Sequence, residues 1–314
     1  MKIVENTYFP ETNDKKNRRL LLLVAKIMIS VSLLLYLILK LDFETLAKFG
    51  TDIILYIFVS IIVMLISLIF MTVRWKYVLM LIKEKAYFLP LLYKLYLIGS
   101  FFNIFIPGAI GGDAIRLYYI SKVYHLSKTK SLLAVFIERT GGLFALGLIL
   151  MFSLPFNNTI RTKLDFGFTL IILSIFAIIM VLVATKYLIN KKISIKYKDL
   201  VVILLLSALG QFGDIIVSYL FSLYFGLNIT FLNLMSIMPL VYIATVIPIS
   251  LGGIGVREGV MTAGMALYGI NVSDAVMVSL LLYLTKIFVG IIGWLFYINF
   301  KPNHTTKEVY HESK

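Results

Sequence analysis

The chain has no cysteine, three histidines, and 16 acidic residues against 30 lysines and arginines. Without cysteine it forms no disulfide, no thiolate nucleophile and no thiolate metal site. His125, His304 and His311 lie at a segment edge and in the C-terminal tail, so no metal site is expected, and no cofactor. No G-x-x-x-x-G-K-[ST] stretch occurs, which excludes a P-loop nucleotide engine. Polar sequence is scarce as well. Charged residues make up 15% of the 314 positions and hydrophobic ones 60%, whereas soluble domains hold about 45–50% apolar residues. No stretch is long enough for a separate soluble catalytic domain.

What is present is a series of long apolar runs. Those at 19–41, 52–72, 131–153, 167–187, 200–224 and 274–298 approach the roughly 20 residues that cross a bilayer. The first follows a polar lead, 1–18, with Lys15, Lys16 and Arg18. No small-residue cleavage site follows it, so it reads as an anchor. The formal charge of +14 fits cytoplasmic loop charge, and no nucleic-acid partner is expected.

Two further apolar regions, 89–125 and 232–268, hold copies of one pattern. The first reads Pro107-Gly108-x-x-Gly111-Gly112-Asp113-x-x-Arg116. The second reads Pro248-x-Ser250-x-Gly252-Gly253-x-Gly255-x-Arg257-Glu258. Proline breaks a helix and a glycine pair frees the backbone, so each copy interrupts a membrane helix. A matched pair of such breaks in two halves is the best sequence pointer to a transporter's binding site.

Each region is either a span plus a half-helix or a re-entrant hairpin. As hairpins, the cytoplasmic segments hold 20 Lys/Arg and the outer ones 4; with eight full spans the split is 14 to 10. The positive-inside rule selects hairpins. The expected fold is therefore an all-α polytopic membrane protein, an inverted repeat of three transmembrane helices plus one re-entrant hairpin per half. The halves are 19–153 and 167–298, and the tail is 299–314. Both termini are expected in the cytoplasm, and the membrane is expected to be the plasma membrane.

Charges left inside the apolar segments carry the candidate site. They are Lys26, Lys94, Arg116, Arg139, Arg257 and Lys286, with Asp113, Glu138, Asp214 and Glu258. A charge at the bilayer centre costs at least about 2.5–3.5 kcal/mol, so these groups are paired, wet or functional. Lys26 and Lys94 lie near segment ends and can snorkel. Arg116 and Arg257 sit one turn past each glycine pair. Each either pairs locally, Arg116 with Asp113 at i−3 and Arg257 with Glu258 or another acid, or holds a phosphate, which suits arginine's planar fork. Each glycine pair is expected to open a helix whose first N–H groups make an anion site, or to allow close hairpin packing. Glu138 and Arg139 form an internal ion pair or contact substrate. Asp214 and Lys286 form a buried pair or a proton-coupling element. Arg74-Trp75 reads as an interfacial anchor, and the 19 Tyr and 23 Phe ask for no special role.

Asn103 through Arg116, Glu138-Arg139-x-Gly-Gly142, and Ile247 through Glu258 together resemble the lysylphosphatidylglycerol synthase transmembrane family, the flippase-like membrane domain of the multiple peptide resistance factor. Arg74-Trp75 matches it too. The resemblance spans roughly residues 20–300. It implies movement of a lipid, or a lipid-linked headgroup, between leaflets. In the full-length synthase a cytosolic domain follows and transfers lysine from its tRNA. Here the sequence stops about 15 residues after its last apolar run, so that chemistry is not expected.

The leading expectation is a transporter of a phosphate-bearing lipid, with Asn103, Pro107, Gly108, Gly111, Gly112, Asp113, Arg116, Glu138, Arg139, Pro248, Ser250, Gly252, Gly253, Gly255, Arg257 and Glu258 around the headgroup. Expected partners are anionic lipids and a separate glycosyltransferase or acyltransferase, and an oligomer is compatible with the sequence. Two alternatives stay open. One is a membrane-embedded lipid-phosphate transferase using Asp113 or Glu258. The other is a membrane subunit that recruits a soluble transferase through its basic loops.

Overall fold

The computed structural model describes residues 28, 50–83, 87–105, 111–163, 196–246 and 255–300. Within them the chain is helical, with no strand: α1 (Ile53–Ile82), α2 (Leu89–Phe105), α3 (Gly111–Tyr124), α4 (Lys128–Ser153), a 3-10 turn at Leu154–Phe156, α5 (Asn158–Lys163), α6 (Tyr197–Tyr224), α7 (Phe231–Val246), α8 (Val256–Ala266) and α9 (Val272–Ile298). Helices α1, α4, α6 and α9 are long and apolar enough to cross a membrane. They cover the expected runs at 52–72, 131–153, 200–224 and 274–298. Those at 19–41, apart from residue 28, and at 167–187, with Lys26, lie outside the described residues.

Local chemistry sets several of the helix starts. Ser127 accepts the Lys130 N–H at 3.4 Å ahead of α4, and Asn271 accepts the Asp274 N–H at 2.8 Å ahead of α9. At α6, Asp199 reaches back to the Lys196 N–H at 2.9 Å, and at α8, Glu258 takes the Gly255 N–H at 2.6 Å.

The regions at 89–125 and 232–268 each become two helices packed side by side. In the first pair Asn103 meets Gly112 and Gly99 meets Arg116; in the second Ile237 meets Gly264. The descending residue order in the first pair makes it an antiparallel hairpin. A Cβ on Gly112 would lie 2.2 Å from the Gly99 carbonyl oxygen, so the two legs touch backbone to backbone.

Helices α1 and α6 run antiparallel along their whole length. Tyr56 packs on Tyr224, Ser67 donates to the Gly210 carbonyl at 2.5 Å, and Tyr77 donates to Asp199 at 2.6 Å. Gly210 and Gly213 admit Met71 and Ser67 at this seam. The wider packing has a further regularity. Exchanging α1, α2, α3 and α4 for α6, α7, α8 and α9 leaves the set of substantially packed helix pairs unchanged. One apolar core gathers around α6–α9 and a second around α1–α4. Exposed apolar residues such as Ile54, Phe58, Ile62, Ile66 and Ile69 form outward stripes, suited to lipid.

The end of each half's last long helix grips the other half's helix pair. After α4, Asn157 Nδ2 donates to Ser236 at 3.2 Å and to the Tyr268 hydroxyl, while Ser236 donates to Ser153 at 2.9 Å. At the end of α9, Tyr297 packs on Phe102, and just beyond it Phe300 packs on Tyr119. One clasp is hydrogen-bonded and the other aromatic. Asn157→Ala is expected to cost about 1–3 kcal/mol, because it strands buried partners, and to lower the unfolding temperature in detergent.

Candidate functional site

The described candidate residues fall into two clusters. The first draws on α1, α2, α3, α4 and α6, with Glu138 at its hub. Its Oε1 accepts from Arg74 at 3.2 Å and from the Tyr96 hydroxyl at 3.0 Å, and its Oε2 accepts from Arg116 at 3.3 Å. Asp113 takes the other side of Arg116 and accepts from Arg139 Nε at 2.7 Å. Arg74 also donates to Ser207 at 2.9 Å. The Arg116 guanidinium stands 4.0 Å from the Tyr96 ring centre and 4.8 Å from that of Trp75. Three guanidinium groups thus meet two carboxylates. Arg74 and Arg116 are sealed, with side chains 6% and 7% exposed, but the Arg139 side chain is 45% exposed.

In the second cluster Arg257 pairs with Glu258, its Nε donating at 3.0 Å, and lies 4.4 Å from the Tyr283 ring centre. Lys286 Nζ donates to the Tyr242 hydroxyl at 2.9 Å and meets Asp214 Oδ1 at 3.0 Å. The latter is a charge contact without hydrogen-bond alignment, since Oδ1 has no directed donor among the described residues. The polar face of α6 joins the clusters: Ser207 holds Arg74, Gln211 neighbours Gly142, and Asp214 holds Lys286. Ser207 and Asp214 are about 10 Å apart along the axis.

Several expectations change. Arg74-Trp75 is no interfacial anchor: Arg74 is 5% and Trp75 1% exposed, because α4 and α6 supply polar partners for the arginine. Tyrosines do carry a role, as Tyr96, Tyr242 and Tyr283 contact the buried charges. Glu138 and Arg139 do not pair with each other: Glu138 meets Arg74 and Arg116, and Arg139 meets Asp113.

The two motif copies also differ. Gly111 and Gly112 lie in α3, whereas α8 starts at Val256 behind Gly255, whose φ of +83° suits glycine. Gly112 N–H donates to Asn103 at 2.8 Å and Gly255 N–H to Glu258, so these two tip donors are already engaged. Lys94 is exposed. Pro107, Gly108, Pro248, Ser250, Gly252 and Gly253 lie outside the described residues. Among the described residues no group of histidines and carboxylates has the make-up of a metal site.

Sequence reasoning missed Arg74, Tyr96, Trp75, Ser207 and Tyr242 as members of these clusters. The one available signal was an arginine beside a tryptophan at the end of an apolar run. Against known proteins, the family model described as the lysylphosphatidylglycerol synthase TM region matches residues 23–293. No curated protein and no solved structure matches the chain.

Proposed function

The chain belongs to the lysylphosphatidylglycerol synthase transmembrane family, a family tied to membrane lipid, and from that premise we propose a flippase-like transporter. Its cargo is a phosphate-bearing lipid: a phospholipid, an aminoacyl-phospholipid or a polyprenyl-linked glycolipid. The observation that carries this reading is the guanidinium of Arg139 at the edge of the first cluster, half-exposed while it pairs with Asp113. A phosphate oxygen displaces the Asp113 carboxylate from Arg139 and gains a forked, charge-assisted contact. Asn103 is exposed, and with its Oδ1 engaged by Gly112 it keeps its amide N–H groups for the same anion. Arg116 and Arg257 stand behind, reached only when their local pairs open. Asp113 and Glu258, each clamped by arginine, are poorly placed to act as free bases, which supports transport over transfer chemistry.

Alternating access needs two halves related by inversion. Their antiparallel central helices and interchangeable packing support that relation. At 1.5 Å per residue α8, which starts and ends among the described residues, spans about 16 Å, short of a core about 30 Å thick, which supports a leg that turns back. The reading extends to a plasma-membrane location with both termini cytoplasmic, and to a separate transferase that makes or consumes the lipid.

The test is leaflet exchange of fluorescent phosphatidylglycerol in proteoliposomes. Arg139→Ala is expected to slow exchange about 10- to 100-fold, matching the roughly 1.5–3 kcal/mol of a hydrogen bond to a charged group. Arg139→Lys, which keeps the charge but loses the fork, should fall between. Wild-type exchange no faster than in protein-free vesicles would overturn the transport reading.

A further inference from the structure

The two halves hold the charges inside their apolar helices with different chemistry, and the difference assigns them different work. In the first half the cations are arginines, which do not give up a proton in proteins. Glu138 there accepts from Arg74, Tyr96 and Arg116, so its oxygens are satisfied. Glu258 is likewise engaged on both oxygens, by Arg257 and the Gly255 N–H. Asp214–Lys286 is unlike these. Its cation is a lysine, whose ammonium carries a removable proton where a guanidinium does not, and Asp214 Oδ1 is buried with no directed donor among the described residues. The pair also ties three helices together: α6 through Asp214, α9 through Lys286, and α7 through Tyr242.

The geometry points to Asp214–Lys286–Tyr242 as a proton-binding site that couples lipid movement to a proton gradient, an inference that rests on the transport reading above. A proton arriving at Asp214 forms an O–H bond and cancels the charge that holds Lys286. The ammonium keeps Tyr242, so α9 stays tied to α7, while α6, which still meets Tyr242 through Asp214, loses its charge contact with α9. Loss of that proton to the other side restores the pair. One proton moves per cycle, and no electrons.

The charges around the pair have partners of their own. From α7 the site meets Tyr242, and from α8 Arg257, whose charge reaches Tyr242. Arg257 is itself held by Glu258 and lies against Tyr283 of α9. Toward α6, helix α1 offers the uncharged Ser67 and Met71 at Gly213 and Gly210. Arg74 of α1 and Glu138 of α4 lie farther along, at Ser207, and are bonded to each other.

The experiment uses full-length protein in proteoliposomes with fluorescent phosphatidylglycerol, at equal pH and under an imposed pH gradient. The variant is Asp214→Asn/Lys286→Met, which removes both charges so that neither is stranded. Expected is faster wild-type exchange under the gradient. The variant should keep exchange at equal pH and lose the whole gradient response. Wild-type exchange indifferent to the gradient, or a variant that still responds, overturns the coupling and leaves the transport reading standing. An absence of wild-type exchange at equal pH and under the gradient overturns both. If the variant does not fold, the infrared carboxyl band of Asp214→Asn decides: the band expected in the titrated wild type must be missing, and its survival overturns the assignment.

Discussion

Glu138→Ala is expected to destabilise the protein by about 3–5 kcal/mol, the typical cost of stripping one member from a buried ion pair. The carboxylate accepts from Arg74, Arg116 and Tyr96, and it is 2% exposed. Its removal leaves Arg74 with Ser207 alone among the described contacts and Arg116 with Asp113 and two aromatic faces. Water does not reach these guanidinium groups, so the lost charge goes uncompensated. Thermal unfolding in detergent should show the drop. Arg74→Ala should cost less, because Glu138 keeps Arg116 and Tyr96. Equal unfolding temperatures for wild type and Glu138→Ala would mean the hub is not where the first half is held together.

The second large effect is expected at Gly293. A Cβ there would lie 1.9 Å from the Leu97 carbonyl oxygen and 2.6 Å from its carbon. Both are backbone atoms of α2, which cannot swing aside as a side chain can. Gly293→Ala must push α9 from α2, at a cost of about 1–3 kcal/mol or more. The α2–α9 contact holds the first hairpin against the second half, so leaflet exchange should fall with stability. Gly147 is the control. It lies within α4 with nothing inside 4 Å of an added Cβ, and Gly147→Ala should be neutral or gain up to about 1 kcal/mol of helix propensity. The two substitutions add the same methyl group, and only the neighbourhood differs.

The site was partly legible before the fold was known, and the divide follows distance along the chain. Asp113–Arg116 and Arg257–Glu258 lie within one helical turn, so spacing alone proposed them, and both pairs occur. Arg74 could not be read that way. Its carboxylate is 64 residues away and its serine 133, and its position after an apolar run looks like that of any interfacial arginine. Tyr96 and Tyr242 were lost among 19 tyrosines, since only a neighbouring charge separates a working hydroxyl from a packed ring.

The helix starts show the same divide. Proline and glycine announced where the backbone would break, but two copies of one motif gave different starts, at Val256 in one and no later than Gly111 in the other. The Asp–Lys pairing was readable as two lone charges near the middle of two apolar runs, because few partners existed for either.

Sequence by itself determined that this chain is a bundle of apolar helices with two broken regions and a fixed inventory of charges inside apolar segments. Hydrophobic run length and backbone chemistry are local, and they act before any helix meets another. Only the tertiary structure decided which guanidinium stays exposed. Arg116 and Arg139 are both arginines inside apolar segments, yet Arg116 is sealed beneath Tyr96 and Trp75 while Arg139 keeps nearly half its surface open. That choice depends on the rotation of α3 and α4 about their axes, which packing against α1 and α2 sets.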